Sequence, residues 1–243
     1  MKFLASLALA LMFSVAMSAQ ITVYLAGDST CANKTADKRP ETGWGEMLQQ
    51  YFDQSKVRVD NRALNGRSTK SFVDEGHWQA IVTSLKKGDY VFIEFGHNDE
   101  KKDKPSVYAS PENYKVNLIR FIKETRGRGA TPVLLTPVSR RKFENGILVK
   151  THGEYPDAVR AVGMGQGVAV IDMESRSAAA LTRYGEQGSR KLFLQLQPGE
   201  NPNYPQGIED NTHFRPEGAE EMAKFVVEGI RENKVKLSQL LKK

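Results

Sequence analysis

The chain predicts an α/β fold in which a parallel sheet is covered by helices on both faces. Three observations carry this. Five short runs rich in β-branched and apolar residues recur at wide intervals. Amphipathic helical patterns fill the gaps between them. The third run, Tyr90 to Phe95, is nearly continuous in apolar residues, as expected of a strand buried on both faces.

In chain order the strand runs are Ile21 to Ala26, Val57 to Asp60, Tyr90 to Phe95, Pro132 to Leu135 and Val168 to Ile171. Between the first two, Gly45 to Phe52 reads as a helix with Met47, Leu48, Tyr51 and Phe52 on its apolar side. Pro111 to Arg126 has a stronger signature. Ser110 precedes it as an N-cap, proline takes the first position, and Tyr114, Leu118, Phe121 and Ile122 form a stripe ending near Gly127. Tyr155 to Met164 and Pro216 to Ile230 are two further helices. Within Arg140 to Gly153, Asn145-Gly146 between short apolar runs signals a small hairpin. Gln197 to Asn211 has neither helical nor strand period and reads as a long functional loop. The stretch from Asn233 to Lys243 is read as finishing the last helix or fraying.

With 243 residues, 40% apolar and 26% charged, the chain is of ordinary globular composition. A single cysteine, Cys31, excludes a disulfide framework within the chain, and the four scattered histidines show no structural-zinc spacing. The net charge of +6 is spread along the chain without interleaved aromatics or a nucleic-acid-reading motif. It suits an acidic polymer better than a nucleic acid. Met1-Lys2, an apolar run from Phe3 to Ala16 and small residues near Ala19 read as a secretory signal peptide over residues 1–19. An N-terminal anchor helix is the alternative. Residues 20–243 then form a single domain, exported to a bacterial periplasm or secreted. It is expected to be a monomer without a stable membrane anchor.

Polar residues cluster where strands end, which is where open parallel sheets bind ligands. Gly27-Asp28-Ser29-Thr30 follows the first strand, Asn65-Gly66-Arg67-Ser68 the second, and Gly96-His97-Asn98-Asp99 the third. Asp210-Asn211-Thr212-His213 precedes the last helix. Each block alone has a bland reading: Ser29 as an N-cap, Asp210 as a capping carboxylate, Gly66 as a turn. Together they supply an acyl-transfer site. Ser29 is the candidate nucleophile, His213 its base, and Asp210 the carboxylate that orients the imidazole. The backbone N–H groups of Ser29 and Gly66 and the Asn98 side-chain amide are the candidate oxyanion hole. Glycine suits position 66 because a side chain there would block close approach of the backbone. His97 is the rival base. His77 and His152 are expected at the surface. Cys31 either packs against a strand or faces the site, and a catalytic thiol is not expected of it.

These four blocks resemble the SGNH (GDSL) hydrolases, with Ser29, Gly66, Asn98 and His213 matching the family's four naming residues. Within them the chain is similar to the rhamnogalacturonan acetylesterase branch. The branch features are Gly-Asp-Ser-Thr, the Asn65 to Ser68 and Gly96 to Asp99 runs, Thr136-Pro137-Val138 leading into Arg140-Arg141, Tyr155-Pro156, and Asp210 to Phe214. The resemblance implies a three-layer α/β/α sandwich with a five-stranded, flavodoxin-like parallel sheet, no metal and no organic cofactor. It also implies an acetylated plant cell-wall polysaccharide as substrate, with acetylxylan, small esters or, as for a lipase or thioesterase, long acyl chains as alternatives. Asp28, Arg67, His97, Arg140 and Arg141 are candidates for substrate binding, the arginines through bidentate pairing with galacturonate carboxylates. Two readings of other classes are a catalytically silent carbohydrate-binding protein and a metal-dependent deacetylase. The complete Ser29, Asp210 and His213 set and the absence of a His-rich cluster speak against them.

Overall fold

The computed structural model describes residues 20–242, so the signal peptide expected over 1–19 lies outside the described residues. Strand β1 (Ile21–Gly27) is followed by a one-turn helix α1 (Trp44–Met47) and strand β2 (Val57–Asn61). Two short helices, α2 (Thr69–Asp74) and α3 (His77–Ser84), lead to β3 (Tyr90–Glu94). Helix α4 (Pro111–Gly127) precedes β4 (Thr131–Leu135) and a hairpin of β5 (Phe143–Glu144) and β6 (Ile147–Leu148). Then come α5 (Tyr155–Gln166), β7 (Val170–Ile171) and α6 (Met173–Gly188). The chain closes with β8 (Phe193–Leu196), β9 (Ile208–Phe214) and α7 (Pro216–Glu232).

Five strands form one parallel sheet in the order β2-β1-β3-β4-β7. Side chains alternate across it. Val23 and Leu25 of β1 face a core built with Trp44, Leu48, Met222 and Val226, beneath α1, α6 and α7. Tyr24 and Ala26 face the other way, toward Phe72, Trp78, Phe121 and Val159 on α2 to α5. Both cores exclude solvent, which is why β1 and β3 carry almost no polar residue. The three-layer arrangement expected from the sequence is the one formed.

The expected helices form, with one change: over Gly45 to Phe52 only one α-turn is made, continued by a 3-10 turn at Leu48–Tyr51. Ser110 caps α4 as its position suggests, accepting from the Asn113 N–H at 3.3 Å. Asn145 and Gly146 take φ of 50° and 77°, the left-handed pair that a tight hairpin requires. The long loop is shorter than its composition suggests. It ends at Gly207, and Ile208 to Asn211 belong to β9, paired antiparallel with β8. The strand escapes periodicity because Glu209, Asp210 and Asn211 are polar and its pairing partner lies across the loop. The C-terminus neither extends α7 nor frays: Leu237 is fully buried in a 3-10 turn over Lys236–Leu240.

Candidate active site

After β1 the chain goes to one side to make β2, then returns past β1 to make β3 on the other side. That reversal opens a crevice at the carboxyl ends of β1 and β3. Ser29 stands just beyond β1 and Asn98 just beyond β3. β9 and the start of α7 deliver His213 to the same place. The Ser29 Oγ lies 2.8 Å from His213 Nε2, across a separation of 184 residues. On the other side of the ring, His213 Nδ1 is 2.6 Å from Asp210 Oδ2.

Asp210 is held by its own strand. Its Oδ1 accepts from the backbone N–H of Thr212 (2.7 Å) and of His213 (2.9 Å). Burial would raise this carboxyl, but the His213 hydrogen bond and charge and the two N–H donors outweigh it and hold the group below its ordinary value. An ionised Asp210 can only accept, so Nδ1 carries the ring proton and Nε2 is left as the acceptor for the Ser29 hydroxyl. This is the arrangement that activates a serine.

The oxyanion-hole candidates converge on the same crevice. Asn98 is buried, and its Nδ2 donates to the backbone carbonyl of Arg67 at 3.0 Å, placing it beside the Gly66 turn. Gly66 adopts φ of 76°. A Cβ there would meet nothing within 4 Å, so it is the left-handed backbone, and not crowding inside the protein, that calls for glycine. Lys34, which no motif singles out, ties the two turns together. Its side chain is fully buried, and Nζ donates to the Ser29 carbonyl (2.6 Å) and Asn65 Oδ1 (2.8 Å) and pairs with Glu41 at 2.8 Å. Those three partners use all three ammonium hydrogens, which satisfies a charge otherwise costly to bury.

Directly behind Ser29 lies a buried acidic group. Asp28 Oδ1 accepts from the N–H of Thr30 (3.0 Å), and Thr30 Oγ1 lies between Asp28 (2.9 Å) and Glu94 (3.0 Å). Glu94 also accepts from Trp44 Nε1 at 3.1 Å. Burial, then the charge of Asp28, raises the Glu94 carboxyl to about 8. Asp28 goes the opposite way. Burial opposes its ionisation, but His97 and the Thr30 donors hold it well below the usual carboxylate range. Burial lowers His97 to about 4, so its ring is neutral and a poor rival base. Asp28, Glu94 and His97 are the one set among the described residues with metal-ligand spacing, within 4.8 Å of one another. The Glu94 oxygens are already taken by Thr30, Trp44 and the Val138 N–H, while Asp28 Oδ2, 3.4 Å from His97 Nδ1, and both His97 ring nitrogens have no hydrogen-bond partner among the described residues.

A stability prediction arises here. Glu94 is protonated in the folded chain up to about pH 8 but titrates near its ordinary value of 4.5 when unfolded. The unfolded chain therefore holds fewer protons between those values, and the Glu94 contribution to stability falls as pH rises through that window. Asp99, raised to about 7 by burial, pulls in the same direction. Glu94→Gln mimics the neutral acid, so its stability relative to wild type should rise with pH, by at most about 1.4 kcal/mol per pH unit. Urea unfolding of both proteins between about pH 5 and 8 reads this out. A difference that stays constant across the range would show that Glu94 is not the titrating group.

Of the candidate sugar contacts, only some can meet a ligand. Asp28 and His97 are buried behind the serine and are corrected to structural roles. Arg141 is also buried. Its guanidinium donates to Ser189 Oγ (3.1 Å), Asn211 Oδ1 (2.8 Å) and the Glu186 carbonyl, anchoring β9 where Asp210 sits. Arg140 is half-buried and paired with Glu100 at 2.5 Å, while Arg67 sits at the crevice rim, paired with Glu75 at 2.7 Å. His152 is not at the surface. Its Nε2 reaches the Val138 carbonyl (2.9 Å), Nδ1 reaches Glu100 (3.1 Å), and its ring meets the His97 ring edge-on. His77 is partly exposed beside Glu75. Cys31 packs in the core, where burial pushes its thiol well up and makes it inert.

The long loop after β8 is tied to the residues beyond Ser29. Tyr204 donates to the Lys38 carbonyl at 3.0 Å, and Asn203 to those of Ala36 (2.9 Å) and Arg39 (2.8 Å). The loop is thus fastened to the segment that follows the nucleophile.

Comparison with known proteins agrees with this geometry. The chain is 45% identical, over 89% of its length and 92% of the relative's, to the rhamnogalacturonan acetylesterase RhgT of Bacillus subtilis. It is 27% identical to a rhamnogalacturonan acetylesterase of Emericella nidulans, covering 90% of this chain and 89% of that one. Among solved structures, the Bacillus subtilis protein YxiM superposes with a TM-score of 0.76 at 26% identity, over 89% of this chain and 57% of that longer one. Residues 25–220 match the GDSL-like lipase/acylhydrolase family model. With Ser29, Gly66, Asn98 and His213 gathered at one crevice of an α/β/α sandwich, the chain belongs to the GDSL-like lipase/acylhydrolase family.

Proposed function

We propose that this protein is a serine acetylesterase that removes O-acetyl groups from rhamnogalacturonan. The observation that carries the reading is the unbroken relay from Ser29 Oγ through His213 to Asp210, with both links shorter than 3 Å. His213 Nε2 takes the hydroxyl proton as Oγ bonds to the acetyl carbonyl carbon. The oxyanion so formed accepts from the Ser29 and Gly66 N–H groups and Asn98 Nδ2. When the bond to the sugar oxygen breaks, His213 returns the proton to that oxygen, freeing the sugar hydroxyl. Water, deprotonated by His213, then attacks the acetyl-serine, and acetate leaves as Ser29 regains its proton.

The choice of polymer is supported by the likeness to RhgT over nearly all of both chains. Charged side chains near the crevice, Arg67, Lys101 and Arg140, suit a sugar polymer bearing carboxylates better than a long acyl chain. We further infer export, from the apolar leader over residues 1–19, with the substrate met in the periplasm or outside the cell. The test is acetate release from acetylated rhamnogalacturonan and acetylated xylan side by side. Faster release from the pectic polymer is expected. Comparable release from xylan would widen the substrate to acetylated hemicellulose, and silence on both with turnover of a small acetyl ester would overturn the polymer assignment.

A further inference from the structure

A carboxamide has two ends of nearly the same shape, and the wrong one presents a carbonyl to a developing oxyanion. Two contacts decide which way Asn98 faces. Lys101 Nζ lies 2.6 Å from Oδ1, and Nδ2 lies 3.0 Å from the Arg67 carbonyl. An ammonium has only hydrogens to offer and a backbone carbonyl only lone pairs. Both contacts are therefore satisfied by one orientation of the amide and neither by the other. The Arg67 carbonyl takes one N–H of Nδ2 and leaves the second for the crevice. Glu100, adjacent to Lys101 in sequence, spends its oxygens on Arg140 and His152.

We propose that Lys101 is a positioning residue of the oxyanion hole, holding the Asn98 amide as a donor and polarising it so that its free N–H binds an oxyanion more strongly. A cation drawing electron density toward Oδ1 makes the Nδ2 hydrogens more acidic, and charge-assisted bonds of this kind are stronger than neutral ones. Lys101 is half-buried on the loop after β3, so its side chain can be changed without opening the core. Burial lowers its pKa, Lys104 and Arg140 push the same way, and Asp28 and Glu100 oppose them. The proposal rests on the esterase reading above.

The experiment uses p-nitrophenyl acetate, a neutral ester, so that any attraction of Lys101 for a substrate carboxylate drops out. Wild type, Lys101→Met, Lys101→Arg, Asn98→Ala and the double variant Asn98→Ala/Lys101→Met are compared, with unfolding midpoints confirming the fold. Lys101→Met should lower kcat about tenfold with KM changed by less than about twofold, and Lys101→Arg should recover most of the loss. In the Asn98→Ala background the same Lys101 change should cost less than about twofold, since a residue acting through Asn98 has nothing left to act on. An unchanged kcat for Lys101→Met, or an equal cost in both backgrounds, would overturn the proposal. Wild type inactive on this ester and on acetylated polymers would instead remove the esterase reading beneath it.

Discussion

Ser29→Ala is expected to lower turnover of any acetyl ester by on the order of 10⁴- to 10⁶-fold while leaving the fold intact. The side chain is small and sits at the crevice, so its loss opens no cavity in either core. In the proposed mechanism its hydroxyl forms the acetyl-enzyme, and without it water must attack the ester unaided by a covalent intermediate. The oxyanion hole and bound substrate would still give some acceleration, which is why a residue of activity should survive. The readouts are acetate release and labelling by an organophosphate, which wild type should accept stoichiometrically and Ser29→Ala not at all. If Ser29→Ala kept more than about a hundredth of wild-type kcat, another nucleophile would be at work.

Asp210→Asn is expected to cost about 10⁴-fold in kcat with little change in KM. The reason is tautomeric. Asp210 Oδ2 accepts from His213 Nδ1 at 2.6 Å, which leaves Nε2 free to accept from Ser29 at 2.8 Å. An asparagine can offer an N–H to Nδ1 instead, moving the ring proton to Nε2, where it faces the serine as a donor. The variant also loses the charge that stabilises the imidazolium formed as Ser29 attacks. The backbone bonds from Thr212 and His213 to Oδ1 can persist to the amide oxygen, so the strand should hold its shape. Steady-state kinetics on a small ester read out the loss, and a decrease of less than about tenfold would mean that Asp210 does not set the tautomer.

Much of this site was legible in the chain because its parts are local. Asp210 and His213 lie three apart and bond to each other within one strand, and Ser29 comes two residues after a strand whose continuous apolar run is plain. The arginines were less legible. Arg140 and Arg141 are neighbours of identical type, yet one pairs with Glu100 near the crevice and the other is buried against Asn211 and Ser189. Nothing in their own surroundings in sequence separates them. The same holds for His152, whose partners Glu100 and Val138 come from other strands' loops. Helix α6 is also hard to read in the sequence, since it mixes alanines with charged residues and only Met173, Ala180 and Leu181 give it buried apolar anchors.

The sequence by itself determined the apolar strand runs, the helix caps, the left-handed turn at Asn145-Gly146 and the residue types of the nucleophile, base and orienting acid. Each of these is set by neighbours a few residues away, through backbone sterics, capping hydrogen bonds or a short unbroken run of apolar side chains. The tertiary structure alone decided that Ser29 meets His213 across 184 residues, and that Lys34 and Lys101 clamp the turns around them. It also made Glu94 a neutral acid. Burial and pairing depend on which distant segments pack together, and a lysine or glutamate looks the same in sequence whether its charge ends in water or in a satisfied pocket.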